Sequence, residues 1–186
     1  MSPFNTRKVL YRNIAEEKAR GADGRILIKV NHLTDSQMIR RIREAADAGV
    51  QVDLIVRTTY AMLPHKNIRA ISILDRYLEH QRIYIFGAGD DARVFMSSAD
   101  LMERNLDWRI EVAFPVYDPE LKREVAEIME LQTRDDTKAR ILDRKQGNKY
   151  THDRQGTRRA QYDTHAYYAK RFAEAELSRA RLLRLA

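Results

Sequence analysis

Two apolar runs separated by one helix-length stretch constrain the fold of this chain more than any other feature. Arg25–Asn31 is a β-rich run, and Gln51–Arg57 is mostly apolar. Between them, Asp35 can cap a helix running through Ala48, with Met38, Ile39, Ile42 and Ala45/Ala46 turned inward and Gly49 as its stop. A strand as apolar as Gln51–Arg57 suits burial on both faces, as in a parallel sheet. Strand, helix and strand in this order imply a right-handed crossover.

The remaining elements extend that unit. Thr6–Arg20 places Val9, Leu10, Ile14 and Ala15 at helical spacing, and Gly21 ends it. Thr58–Asn67 reads as a loop containing Pro64, and Ile68–Ile73 as a short strand. His80–Phe86 and Arg93–Met96 alternate like a hairpin around Gly87-Ala88-Gly89-Asp90. Arg109–Pro115 is a further strand, and Asp118-Pro119-Glu120 opens a helix to Gln132 with proline in its first turn. Strands covered by helices predict a three-layer α/β domain with a mixed sheet.

Composition sets the outer bounds. A chain of 186 residues, 44% hydrophobic and 33% charged, reads as one soluble globular domain. No apolar run approaches the ~20 residues that span a bilayer. Met1-Ser2-Pro3-Phe4-Asn5 lacks the basic start and apolar stretch of a signal peptide. With no cysteine there is no disulfide and no thiolate metal site, which is compatible with a reducing cytosol. A net charge of +7 points to a polyanionic partner: phosphate chains, nucleic acid or an acidic membrane. Charge concentrates in residues 134–159, with nine Lys/Arg against four Asp/Glu. That segment reads as an extended basic arm, either a solvated surface or a polyanion-binding device. Helical character resumes from Arg158 to Leu185, with Ala160, His165, Tyr168, Phe172, Leu177 and Leu182/Leu183.

The chemistry centres on His80-Gln81-Arg82, then Ser97-Ser98-Ala99-Asp100, then Glu111. In extended chain, residues i and i+2 share a face, so His80 projects with Arg82 and Ser98 with Asp100. An imidazole can attack phosphorus or move a proton. A guanidinium can clamp phosphate oxygens in a bidentate fork. Glu111 can hold the second ring nitrogen of a histidine and fix its tautomer. Arg57 ends an apolar strand, where open α/β sheets place ligands, though a strand-terminal surface arginine is an equal reading. Arg104 can reach the same phosphates or pair with Asp100 or Asp107. His32, His65, His152 and His165 read as satisfied or solvated. Gly87-Ala88-Gly89 lacks the third glycine and helix of a dinucleotide loop, there is no G-x-x-x-x-G-K-[ST] loop, and no His/Asp/Glu group has metal-ligand spacing.

This layout resembles the phospholipase D superfamily half-site, H-x-K followed by G-S-x-N and a carboxylate, with Arg82, Ser97 and Asp100 in place of Lys, Gly and Asn. The strings Leu54-Ile55-Val56-Arg57, Arg76-Tyr77-Leu78-Glu79-His80, Ser98-Ala99-Asp100-Leu101-Met102-Glu103-Arg104-Asn105 and Arg109-Ile110-Glu111-Val112 are similar to polyphosphate kinases of the first, long type. Lys29-Val30-Asn31 ahead of Leu33-Thr34-Asp35 agrees, and the likeness runs in order from Ser2 to Arg140. Two departures stand out: the Thr58–Pro64 loop is shorter than usual in the family, and Leu101 replaces the usual tryptophan.

The resemblance implies reversible transfer of the terminal phosphate of ATP onto polyphosphate. It implies four domains, the last two being phospholipase D-like halves that face each other, with the phosphorylated histidine in the earlier half. Residues 1–133 then resemble the final half-domain, followed by the 134–159 arm and the 160–186 helix, and the chain alone is expected to be inactive. His80 is implied to face nucleotide phosphates as acid/base or electrostatic support, and Arg57 to bind nucleotide phosphate. Arg82, Ser98 and Asp100 complete the half-site, Glu111 orients His80, and Arg104 adds a phosphate contact. Implied partners are ATP/ADP, polyphosphate and the preceding domains, with a homo-oligomer left open and no specific nucleic acid. Mg²⁺ is expected to arrive with the nucleotide or polyphosphate. The expected location is the cytoplasm, with peripheral membrane association also open. Two alternatives stand beside this reading: a homodimeric phospholipase D-like phosphodiesterase or nuclease, and a non-catalytic polyanion-binding module using the basic arm.

Overall fold

A computed structural model of the chain describes residues 5–152 and 156–183, the side chains after 177 excepted. The expected strand–helix–strand unit is its centre. β1 (Arg25–Leu33) and β2 (Gln51–Tyr60) pair in parallel across α2 (Ser36–Asp47). β3 (Ile68–Ile73) continues the parallel set. On the other side of β1 the sheet turns antiparallel through β4 (Ile83–Phe86), β5 (Arg93–Ser97) and β6 (Ala113–Val116). β7 (Ala139–Ile141) pairs antiparallel with β3, giving the order β6-β5-β4-β1-β2-β3-β7.

Period-two alternation assigns each strand residue to a layer. Ile26, Ile28 and Val30 of β1 pack with Leu54 and Val56 of β2 beneath α2 and α1 (Thr6–Arg20). Leu27, Ile55, Ile71, Ile83, Ile85 and Val94 face the opposite layer, which includes Met129 of α3 (Pro119–Thr133). α4 (Ala160–Leu183) packs on α3 and buries Ala160 there. The result is the three-layer α/β domain with a mixed sheet expected from sequence, with its C-terminal helix. The helix starts are capped as the sequence indicates: Asp35 Oδ1 accepts from Met38 N at 2.7 Å, and Asp118 Oδ1 from Glu120 N and Leu121 N. Among the described residues no helix is long and apolar enough to cross a membrane.

Several expected boundaries move. Strand structure was expected from His80, but β4 begins at Ile83, because only the Arg82 carbonyl of the preceding residues joins the ladder, accepting from Ser97 N. The Arg109–Pro115 strand becomes Ala113–Val116; Arg109–Glu111 passes outside the ladder, with Ile110 fully exposed, and the Val112 carbonyl joins it by accepting from Ser98 N. Part of the expected Thr58–Asn67 loop extends β2 to Tyr60, paired with Leu33 past an irregularity between Val30 and His32. The 134–159 segment contains β7 and is tied to the body through Asp135. One oxygen of that buried carboxylate accepts from Thr137 N, Lys138 N and Ala139 N, and the other from Ala160 N. Residues 153–155 of the expected arm, and Leu185 at the expected end of the last helix, lie outside the described residues.

A single π-type turn, Arg104–Trp108, interrupts the path between β5 and β6. It is fastened from afar. Arg7 of α1 donates from Nη1 and Nη2 to both Asp35 oxygens and from Nε and Nη2 to Asp107. These contacts join α1, the α2 cap and the turn. Burial works to raise the Asp35 carboxyl, but Arg7 and the Met38 amide outweigh it and hold the group below its ordinary value.

Candidate active site

β1, β2 and β3 all point their carboxyl ends at one edge of the sheet. The loop 74–82 joins β3 to β4 and therefore crosses that edge, since two strands lie between its ends. This crossing brings His80 to the end of the sheet towards which Arg57 lies, three residues before β2 ends. Placement at the carboxyl ends of parallel strands is the general rule for ligands in open α/β sheets.

Leu27, Lys29 and Asn31 share the face of β1 that Ile55 and Arg57 share on β2. Arg57 donates from Nε to Asn31 Oδ1 at 2.7 Å, and Thr58 Oγ1 donates to the Asn31 carbonyl at 2.7 Å. Asn31 is buried, and its Nδ2 makes no hydrogen bond among the described residues. Asn31 thus fixes one edge of the Arg57 fork and leaves the terminal guanidinium nitrogens available. Arg57 also lines a cleft of about 810 Å³ with Ser72, Arg140 and Arg144.

Asp100 holds the second arginine. Its Oδ2 accepts from Arg82 Nη2 at 2.8 Å, while Oδ1 accepts from the amides of Asn31 at 2.6 Å and His32 at 3.1 Å. Burial pushes this carboxyl up, but the Arg82 hydrogen bond and the Asn31 amide overcome that and hold it below the ordinary carboxylate range. The same carboxylate therefore links β1 to Arg82 and stays ionised. Arg82 Nε is buried without a hydrogen-bond partner among the described residues. Its Nη1 donates to the His80 carbonyl at 2.9 Å, so the two residues are joined through backbone in a local bend rather than as neighbours on a strand. The His80 side chain is exposed and makes no hydrogen bond among the described residues.

Ser98 and Glu111 form a separate pair. Ser98 Oγ donates to Glu111 Oε2, and Val112 N donates to Ser98 Oγ at 3.0 Å. Asn105 Nδ2 donates to Glu111 Oε1 at 2.5 Å. Glu111 is thus engaged by Ser98 and Asn105, not by His80. Arg104 lies elsewhere: it is exposed in the π-type turn and lines a shallow hollow with Asp35, Ser36 and Trp108. It pairs with neither Asp100, which Arg82 holds, nor Asp107, which Arg7 holds.

Sequence reasoning did not single out Lys29, Glu79 and Gln132. Lys29 is buried at the middle of β1, and its Nζ donates to Glu79 Oε2 at 2.6 Å and to Gln132 Oε1 at 2.5 Å. Burial lowers the Lys29 ammonium, Glu79 opposes that shift, and the nearby Arg57 charge adds to it. A lysine inside an otherwise aliphatic strand was the available signal, since such a charge needs a partner. Asn31 and Asn105 carried no comparable signal, because amides are common in loops and at strand ends. Among the described residues no group of three His, Asp or Glu side chains gathers as a metal site. The carboxylate at this site, Asp100, is already taken up by Arg82 and two backbone amides, and the other side chains there are cationic or amide, which suits phosphate oxygens better than a resident Mg²⁺.

The family model for the polyphosphate kinase C-terminal domain 2 matches residues 1–161. Polyphosphate kinase of Salmonella typhimurium is 46% identical over 158 residues, covering 81% of this chain and 23% of that protein. The chain therefore spans about a quarter of the length of such relatives. The crystal structure of polyphosphate kinase from Porphyromonas gingivalis superposes with a TM-score of 0.85 at 39% identity, over 91% of this chain and 28% of that one. Nuc of Salmonella typhimurium, a phospholipase D family member, shares the fold with a TM-score of 0.56 at 15% identity, over 76% of this chain and 94% of Nuc.

Proposed function

This chain belongs to the polyphosphate kinase family, and we propose that it supplies nucleotide- and phosphate-binding groups to reversible transfer of the ATP terminal phosphate onto polyphosphate. The observation that carries this reading is the pair of restrained arginines at the carboxyl end of the parallel strands. Arg57 is held by Asn31 and Arg82 by Asp100, and Asn31 Nδ2 and Arg82 Nε remain as donors without acceptors among the described residues. Phosphoryl transfer is catalysed mainly by positioning and by fixed positive charge where negative charge develops. Arginines restrained beforehand meet both needs at little reorganisation cost.

In this reading Arg57 and Arg82 clamp nucleotide phosphates, and the His80 imidazole supplies a proton or a charge to the oxygen that leaves with ADP. Asp100 positions Arg82 and keeps it paired when no substrate is bound. Ser98 and Glu111 fix the turn after β5, with Glu111 acting on His80 only if it exchanges its present partners. Arg104 contributes charge from the neighbouring turn. Mg²⁺ comes as a counter-ion of the phosphate chains. The phosphorylated histidine and the facing half come from the preceding domains.

Phosphate transfer between ATP and polyphosphate, followed in both directions with Mg²⁺, tests this assignment. The chain is assayed alone and with the preceding half-domain added in trans, each beside a His80→Ala control. Silence alone and His80-dependent turnover on addition is the expected result. His80-dependent turnover without the added half would replace this reading with a self-sufficient homodimer of the phospholipase D type.

A further inference from the structure

The loop that carries His80 has no regular structure from Leu74 to Arg82, yet it is gripped along its length. The strongest grip comes from the start of α4. Gln161 is buried and binds the backbone of one residue through both its polar groups: Tyr77 N donates to Gln161 Oε1 at 2.7 Å, and Gln161 Nε2 donates to the Tyr77 carbonyl at 2.7 Å. This is the pairing one strand makes with its neighbour, supplied by a side chain. Two residues earlier, Arg159 forks onto both oxygens of Asp75, at 2.7 and 2.6 Å. One helical turn after Gln161, the His165 ring stacks on the Tyr77 ring with centroids 4.5 Å apart. From the opposite side Lys29 holds Glu79, the residue before His80. α4 is in turn seated by Asp135, which accepts from Ala160 N, and by Tyr167, whose hydroxyl donates to Glu127 of α3.

We propose that the start of α4 is a clamp that positions the His80 loop, with Gln161 as its principal positioning residue. This rests on the reading of His80 as a phosphate-facing group. The physical argument is one of entropy. A nine-residue irregular loop samples many backbone states, and each peptide group fixed in advance removes disorder that substrate binding would otherwise have to remove. Gln161 fixes a peptide three residues before His80, and Lys29 fixes the side chain of the residue adjacent to it. Between these points only Leu78 intervenes, so the approach to His80 is held at both ends of a short span. A glutamine is suited to this task because it alone, with asparagine, offers one acceptor and one donor in a planar unit matching a peptide.

The test compares the full chain with Gln161→Ala, Tyr167→Phe and His80→Ala. Amide hydrogen exchange of residues 76–82 and affinity for ADP are both measured. Gln161→Ala should speed exchange across 76–82 by about tenfold or more, as expected on losing two hydrogen bonds, and weaken ADP by a similar factor. Exchange in β1 and β4 should stay as in the parent. Tyr167→Phe loosens α4 on α3 without touching the loop and should leave residues 76–82 protected. His80→Ala should weaken ADP while leaving loop exchange unchanged. Unchanged exchange of 76–82 in Gln161→Ala would overturn the clamp. Equal acceleration in Tyr167→Phe would also overturn it, since the effect would then belong to the helix as a whole. If the parent does not bind ADP, or His80→Ala binds it equally, the functional reading fails while the exchange result still judges the clamp.

Discussion

Asp100 is the residue on which most of the site depends. Its carboxylate satisfies two β1 amides and pairs with Arg82, and it is nearly fully buried. Removing one partner of such a pair strands the other. Asp100→Ala is expected to cost about 3 kcal/mol in urea unfolding, whereas an exposed pair such as Arg134–Glu130 should cost under about 1 kcal/mol. The pH dependence follows with a definite sign. The folded values of Asp35, Asp75 and Asp100 are all depressed. Their contribution is therefore fully present above the unfolded value of about 3.9 and is lost as pH falls through the lower folded values. Unfolding free energy should change little from these groups above about pH 5 and drop steeply below about pH 4. Lys29 behaves oppositely: burial depresses its ammonium, so it costs stability at neutral pH unless Glu79 offsets that cost. A double-mutant cycle with Lys29→Met and Glu79→Gln should return a coupling of roughly 1–3 kcal/mol, and a value near zero would show that the pair does not hold the loop.

Elements meet at junctions where side chains or glycines set the geometry. At the junction of α1 and β1, a Cβ on Gly24 would sit 2.4 Å from the Glu17 carbonyl oxygen and 2.9 Å from Val50 Cγ2. Backbone cannot yield there as a side chain can, so Gly24→Ala should lower stability by about 1–3 kcal/mol, read as a fall in thermal midpoint. Asp135 plays the same role for β7 and α4. Asp135→Ala removes four amide bonds to one carboxylate and should expose the 136–160 segment to limited proteolysis before the rest of the chain. The sequence displayed most of the elements, because apolar alternation and helix caps are local signals. The β1–α2–β2 unit, the Asp35 and Asp118 caps and the α1 stop at Gly21 were all legible in it. β7 was not, because three residues amid basic ones carry no period, and their pairing depends on a carboxylate four residues away. The start of β4 is displaced for a related reason: alternation at His80–Arg82 continues that of Ile83–Phe86, but among the described residues only the Arg82 carbonyl finds a ladder partner, Ser97 N. His80, Arg82 and Arg57 could be nominated from spacing and position, whereas Gln161 could not. Its role depends on an 84-residue separation from Tyr77 that only the folded sheet closes.

At the scale of the whole molecule, the chain shares its fold with Nuc and spans about a quarter of the length of the polyphosphate kinases it matches. The net charge of +7 makes anion binding dependent on ionic strength. If the proposed function holds, raising salt from about 0.05 to about 0.5 M should weaken polyphosphate binding by about tenfold or more, and an unchanged affinity would mean that hydrogen bonds rather than long-range charge govern it. Exposed Trp108, Ile110, Val112 and Phe114 line the β6 edge and its approach, whereas at the opposite edge β7 is flanked by the Arg140–Tyr150 bridge. The Arg7 contacts carry a consequence in time. Arg7 waits for Asp35, 28 residues on, and for Asp107, 100 residues on. At synthesis rates of roughly 5–20 residues per second, the last partner follows Arg7 out of the ribosome by roughly 5–20 s. α1 is thus not fully locked until the π-type turn has been made, and a nascent chain spends that interval with Arg7 paired to Asp35 at most and still lacking its second counter-ion.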